Sequence, residues 1–267
     1  MLLGCVVKDL AEAEYVSKFE LDYLELKGDM VFTDSESMRI VREKLETLKL
    51  PILAITSPLP RQLNCRIVGP DADLEKALTV FSKICQNASR LGVSTVVFGS
   101  GQARFIPDGF PKDRATEQLR VFIIEAAAVC NQLTMKIAIE PLNQTETNML
   151  NSCKETRAFI DMLDLFNVTV LLDYYHVIFE GLSLDEEICA VQGKLGHVHT
   201  SAKQRNCKRV DKVSQASFFS KLIDIGYDET VSIECDFVDF FADVENVIKS
   251  FRQILSQSLK HQEKSER

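Results

Sequence analysis

Four residues of this chain have the types and positions that could do chemistry together: Glu140, Asp173, His199 and Glu234. Each stands where an apolar, strand-like run ends. The run MKIAIEPLN (135–143) closes on Glu140 with Pro141 behind it, and VTVLLDY (168–174) closes on Asp173. LGHVHT (195–200) closes on His199, and TVSIECD (230–236) on Glu234. A carboxylate buried beside a strand must be paired or bound to a metal, because an isolated charge in a low-dielectric interior is very costly. Only Arg205 lies in a pattern that could face these groups, and one guanidinium does not neutralise three carboxylates. The set therefore points to one divalent cation, with Mn²⁺ the first choice and Mg²⁺, Co²⁺ or Zn²⁺ left open by the mixed oxygen and imidazole ligands.

Other histidines are weighed one at a time. His176, three residues after Asp173, falls just past a strand end and suits a hydrogen bond to a substrate oxygen. His197 shares a strand face with His199 and reads as a packing residue or a support for that ligand. His261 belongs to the C-terminal stretch and receives no role. Gly99 and Gly101 with Arg104 form only a loose phosphate-loop pattern.

Eight strands are needed to bring such ligands together, and the hydropathy pattern supplies them at 2–7, 22–27, 51–56, 93–98, 136–140, 168–174, 195–200 and 230–236. Between them, apolar residues at helical spacing predict helices over 10–19, 35–48, 71–91, 115–133, 154–165, 184–193, 215–225 and 242–259. Asp34 and Ser35 read as a helix start, and Gly92 as a stop. The stretches 57–70 and 99–113 hold prolines and glycines and read as loops after strands. Strict alternation in one polarity predicts an α/β chain folded as a single (β/α)8 TIM barrel over residues 1–260, with 261–267 a charged C-terminal tail. In such a barrel the carboxyl ends of all strands open on one face, so the four residues converge.

Composition narrows the function. The chain has 267 residues, 46% hydrophobic and 26% charged, with a formal net charge of −8. That charge argues against a nucleic-acid partner, since a phosphate backbone is met by clustered Lys and Arg. Eight cysteines without a CxxC pair read as reduced thiols. The start MLLGCVVKDL is too short in apolar residues for a signal peptide, and no run reaches a membrane span. A cytoplasmic protein is expected, with no membrane partner and a homo-oligomer left open.

Five motifs, FGSGQARFIPDGF, IAIEPLNQTETNMLN, LLDYYHVIFEG, GHVHTSA and GYDETVSIECDF, spread over 93–237. Together they resemble the sugar isomerase and epimerase family of xylose-isomerase-like barrels, in pattern near the D-tagatose and D-psicose 3-epimerases and hydroxypyruvate isomerase. The ligand intervals of 33, 26 and 35 residues fit the family pattern without insertion. The resemblance implies that Glu140, Asp173, His199 and Glu234 bind the metal and that Glu140 and Glu234 are acid and base. A proton would move through a cis-enediolate of a small sugar or hydroxyketone. Glu146 and His176 match the substrate-hydroxyl contacts, and Arg205 the substrate-binding arginine. The nearest rivals are an inosose-dehydratase-like lyase, which would expel a β-hydroxyl from the same enediolate, and a non-catalytic sugar-binding barrel. A related nuclease would need more histidines than the four present.

The chain also departs from the family. Ala202 stands where an acidic residue is usual, and NCKRVDK replaces a Pro-Gly motif in the same loop. An altered substrate, or reduced activity, is expected from this loop over 201–212. With no tryptophan in the chain, an aromatic wall over a sugar would come from Phe105, Tyr174 or Phe237.

Overall fold

Eight parallel strands, hydrogen-bonded in sequence order, close on themselves in the computed structural model, which describes residues 1–207 and 209–265, without the side chains of 261–265. They are β1 (Leu2–Val7), β2 (Tyr23–Lys27), β3 (Ile52–Thr56), β4 (Thr95–Phe98), β5 (Lys136–Ile139), β6 (Val168–Asp173), β7 (Leu195–Thr200) and β8 (Thr230–Ile233). β8 pairs back to β1, with Gly4 opposite Ser232. The surrounding helices are α1 (Leu10–Val16), α2 (Ser35–Glu46), α3 (Leu74–Ser89), α4 (Lys112–Gln132), α5 (Cys153–Leu163), α6 (Tyr174–Phe179), α7 (Leu184–Val191), α8 (Lys212–Asp224) and α9 (Phe240–Ser265). The barrel is the one expected, with α6 as an added turn of helix directly after β6.

The strand pattern explains the layers. Side chains alternate between the two faces of each strand, so Leu24 and Leu26 of β2 join the large core shared with the helices while Glu25 and Lys27 face the barrel axis. Inside, Val97, Ala138 and Leu171 form a separate apolar cluster. Ala138 and Leu171 stand two residues before Glu140 and Asp173 and share their face, so this cluster supports the acidic strand ends from below. On the opposite wall the interior is polar, and Tyr23 crosses it to Ser232, oxygen to oxygen at 2.6 Å. Gly4 makes room for that ring, since a Cβ there would lie 2.4 Å from Tyr23 Cζ.

Helix starts follow from side-chain caps. Asp34 accepts from the Ser37 N–H, as its position before 35–48 predicts, and Asp9, Asp73, Ser152 and Ser183 do the same for their helices. Asp211 accepts from the Val213 and Ser214 N–H groups, which starts α8 at Lys212, ahead of the expected 215. Pro111 precedes α4, and its fixed φ brings that start forward to Lys112. The expected boundary between barrel and tail at 260/261 falls within α9, and Glu266 and Arg267 lie outside the described residues.

One expectation is overturned. Cys207 and Cys235 form a disulfide, with Cα atoms 5.9 Å apart and a separation of 28 in sequence. The missing CxxC motif excludes only local pairs; these two meet because the loops after β7 and β8 are neighbours. The other six cysteines are free, five of them buried. The case for a reducing cytoplasm built on eight reduced thiols loses that support. Among the described residues no helix is long and apolar enough to cross a membrane.

Candidate active site

The strands place the four expected ligands at one end of the barrel. β5 and β8 stop one residue short of Glu140 and Glu234, whose N–H groups donate to the carbonyls of Phe98 (3.1 Å) and Thr200 (3.0 Å) in the strands alongside. Asp173 and His199 close β6 and approach the end of β7, paired in register. One ligand atom from each of the four lies within 4.8 Å of the others, and all four residues are buried. Among the described residues the structure thus brings the whole predicted set together.

Their electrostatics invite a cation. Burial, with Glu140 and Glu234 close by, pushes the Asp173 carboxyl up to about 7 against the pull of Arg205 and His199. His199 Nδ1 lies 3.4 Å from Glu140 Oε1 and 3.1 Å from Glu234 Oε2, yet Nδ1 and Glu140 Oε1 are both buried without a hydrogen-bonding partner. Two unpartnered atoms beside two further carboxylates are satisfied by a divalent ion with oxygen and imidazole ligands, so these four residues fit the metal expected of them. Asp173 can turn one oxygen to that point because the other is engaged, accepting from the Tyr175 N–H (2.7 Å) at the start of α6.

His176 comes with its protonation fixed by neighbours. Its Nδ1 receives the backbone N–H of Asn143 (3.1 Å) and lies 3.0 Å from the Asn143 side-chain amide. A backbone N–H can only donate, so Nδ1 accepts and the proton sits on Nε2. That Nε2 is buried and unpartnered, 3.8 Å from Glu140 Oε1 and 3.7 Å from Asp173 Oδ2. Burial also lowers His176 to about 4, so the ring stays a neutral donor aimed into the site.

Glu234 is held from two sides. Lys27 Nζ lies 2.7 Å from its Oε1, and Arg205 Nη2 donates to its Oε2 at 2.6 Å. Burial alone would raise this carboxyl, but Lys27, Arg205 and His199 outweigh it and keep it well below the ordinary carboxylate range. Arg205 also lies over the Tyr175 ring, 5.1 Å from its centroid, and reaches to within 3.5 Å of Glu146 Oε1. Its loop is fastened by backbone contacts. Arg205 adopts a left-handed backbone with φ of 58°, its N–H donates to the Ala202 carbonyl (2.7 Å), and its own carbonyl accepts from the Asp236 N–H (2.9 Å). The Cys207–Cys235 bond ties the same loop to the residue after Glu234.

Above these groups a cavity of about 1030 Å³ opens, lined by Lys27, Glu140, Glu146, Arg205 and Glu234, with Phe105 and Phe237 as its apolar wall. Tyr174, expected as a third wall residue, is instead buried against Phe218 because it is the first residue of α6 and faces outward to α8. Gly99 of the loose phosphate-loop pattern has another use: a Cβ there would lie 2.3 Å from Glu140 Oε2, so the glycine makes space for the carboxylate. Arg104 of the same loop is fully buried and donates to the Glu140 carbonyl at 2.6 Å.

Three contributors, Lys27, Glu25 and Asn143, have no role assigned from the sequence, and a fourth, Arg104, enters there only as part of a loose phosphate-loop pattern. For Lys27 and Glu25 a signal exists in DYLELK. In a barrel whose helices cover every outer face, the polar half of an alternating strand points to the axis. Arg104 and Asn143 act through loop conformation, which spacing does not reveal.

The description of a xylose isomerase-like TIM barrel matches residues 13–254. A D-psicose 3-epimerase from Ruminiclostridium cellulolyticum is 27% identical over 195 residues, 70% of this chain and 64% of its own length. The matched part of the chain thus spans just under two thirds of that relative. One from Agrobacterium fabrum is 25% identical over 248 residues, 90% of this chain and 83% of its own. The solved structure of D-psicose 3-epimerase with D-tagatose from Clostridium cellulolyticum H10 superposes with a TM-score of 0.77, covering 97% of this chain and 99% of that one at 21% identity.

Proposed function

This chain belongs to the xylose isomerase-like TIM barrel family, and on that premise we propose that it is a divalent-metal-dependent epimerase of a small ketose. The observation that carries the reading is the convergence of two buried glutamates, an aspartate and a histidine nitrogen within 4.8 Å, the two glutamates lining the cavity above. Glu140, Asp173, His199 and Glu234 would hold the ion, Mn²⁺ by preference. When bound, it supplies Lewis-acid polarisation of a carbonyl and the neighbouring hydroxyl.

The chain's own groups do the rest. One of the two glutamates takes the proton from the carbon beside the carbonyl, giving an enediolate, and the other returns a proton from the opposite face. The roles exchange when the reaction runs backward. His176 donates its Nε2 proton to a substrate hydroxyl, Arg205 and Glu146 hold the polar end of the sugar, and Phe105 and Phe237 cover its carbon face. The relatives named for D-psicose 3-epimerisation support a ketose as substrate.

Incubation of D-psicose, D-fructose and D-tagatose with Mn²⁺-loaded protein in heavy water tests this. Deuterium at C3 with interconversion of C3 epimers is the expected result. Loss of water from the labelled intermediate would make the protein a lyase, and no label with any ketose would overturn the reading. A second expectation concerns Gly99→Ala. Displacing the Glu140 carboxylate even slightly misplaces a proton-transfer group, and such shifts cost on the order of 10²-fold in rate. The kcat of this variant should fall accordingly while its circular dichroism matches the wild type; unchanged kcat would show that Glu140 does not need the space.

A further inference from the structure

Beneath His199 lies a carboxylate that no part of the proton-transfer scheme uses. Glu25 of β2 is fully buried at the barrel axis, with Oε1 3.0 Å from His199 Nε2 and Oε2 2.9 Å from His197 Nε2. Both separations are those of N–H···O bonds. An ionised carboxylate accepts and cannot donate, so each Nε2 must carry a proton. For His197 the consequence is a full complement of bonds, because its Nδ1 then receives the Thr230 hydroxyl at 2.7 Å. Ser232 Oγ, 3.4 Å from His197 Nε2, connects the group to Tyr23. For His199 the consequence is directional: with Nε2 committed to Glu25, Nδ1 is the nitrogen that faces Glu140 and Glu234, and it is the one whose lone pair the neutral ring offers to an ion.

We propose that Glu25 is a positioning residue that fixes His199 in the tautomer and ring orientation needed for metal ligation, with His197 as the second ring that holds the carboxylate in place. The inference rests on the proposed metal site above it. Glu25, His197 and His199 also converge closely enough to be considered as a cation site of their own. The hydrogen bonds account for every close contact in that group, and His199 has only one nitrogen left to offer, which points the other way. The two rings stand nearly perpendicular, at 81°, with centroids 5.2 Å apart, so one carboxylate in one orientation serves both.

Glu25→Gln makes the role visible. An amide has one accepting and one donating end, so it can satisfy only one Nε2–H. If its NH₂ meets His199, the proton of that ring moves to Nδ1 and blocks ligation. If its NH₂ meets His197, that ring can still donate from Nδ1 to Thr230, but His199 then loses a charged acceptor for a neutral one. Supports of this kind are worth about 10- to 100-fold in metal affinity. The expected result is therefore a dissociation constant for Mn²⁺, measured from the electron paramagnetic resonance of the free ion, raised about tenfold in Glu25→Gln and more in Glu25→Ala.

A purely structural Glu25 would lower the melting temperature of the metal-free protein and leave the Mn²⁺ constant unchanged; that outcome overturns the proposal. Should the variants fail to fold, the wild type decides. With ¹⁵N-labelled histidine and Zn²⁺ bound, ring shifts must show His199 protonated at Nε2 and ligated through Nδ1, and a proton on Nδ1 overturns the proposal. Wild-type protein that binds neither ion sinks the metal site and this inference together, whereas ion binding indifferent to Glu25 sinks the inference alone.

Discussion

Glu140→Gln is expected to lower ketose turnover by about 10³-fold or more, because it removes the proposed proton-transfer group, which general acid–base catalysis values at roughly 10²–10⁴, and weakens a proposed metal ligand as well. The amide keeps the shape of the side chain and one oxygen to offer an ion, so Mn²⁺ binding should weaken without vanishing. Stability should fall as well. Glu140 is crowded against Asp173 and Glu234 in a buried cluster, but against burial and the Glu234 charge His199 and His176 hold its carboxyl below the ordinary value, so the ionised form is favoured in the fold and the metal-free variant should melt lower than the metal-free wild type. Steady-state kinetics with the Mn²⁺-loaded proteins and melting curves of the metal-free ones check both halves. Turnover within tenfold of the wild type would remove Glu140 from proton transfer.

That crowding is also what made the site readable. A carboxylate that closes an apolar strand is conspicuous in one dimension, because burial and charge conflict within a few residues. Four such conflicts at β-strand ends mark Glu140, Asp173, His199 and Glu234, and the strict alternation of strands and helices points to the barrel that brings them together. His176 was visible for the same reason, one turn beyond Asp173. What spacing does not show is which group answers the conflict from another strand. Lys27 and Glu25 lie more than 100 residues from their partners and look like the polar half of an ordinary alternating strand. The disulfide is the sharpest case. Nothing in the sequence near Cys207 names Cys235, and only the adjacency of the loops after β7 and β8 brings them together.

The loop after β7 changes meaning with that bond. Read as sequence, Ala202 and NCKRVDK are losses. In the folded chain the same loop carries Arg205 onto Glu234, closes a turn on the Ala202 carbonyl, hydrogen-bonds to the backbone of Asp236 and is fastened covalently beside Glu234. The arginine is thus fixed by the loop's own backbone and by the disulfide. Residues held at positive φ, here Arg205 and Cys207, persist only where the surroundings enforce them.

Lys27→Met should move the pH dependence of the reaction. Lys27 and Arg205 each occupy one oxygen of Glu234, and they act against burial to keep that carboxyl ionised. Methionine preserves most of the stem and removes the charge. Glu234 then has one cation fewer, so its pKa rises and it takes up a proton at a higher pH than before. A group that must be ionised to accept a proton from substrate loses activity on the acid side, so the acid limb of kcat/KM should shift to higher pH, by about one unit for each 1.4 kcal/mol of lost attraction. Well above that limb the rate should recover. Arg205→Met offers the contrast: it also removes a cation from Glu234, but takes a substrate contact with it, so KM should rise at every pH. If Lys27 serves only to pack the barrel end, its replacement lowers the whole profile without displacing it. A profile for Lys27→Met with an unmoved acid limb would therefore separate Lys27 from the ionisation of Glu234, and would leave Arg205 and His199 to hold that charge.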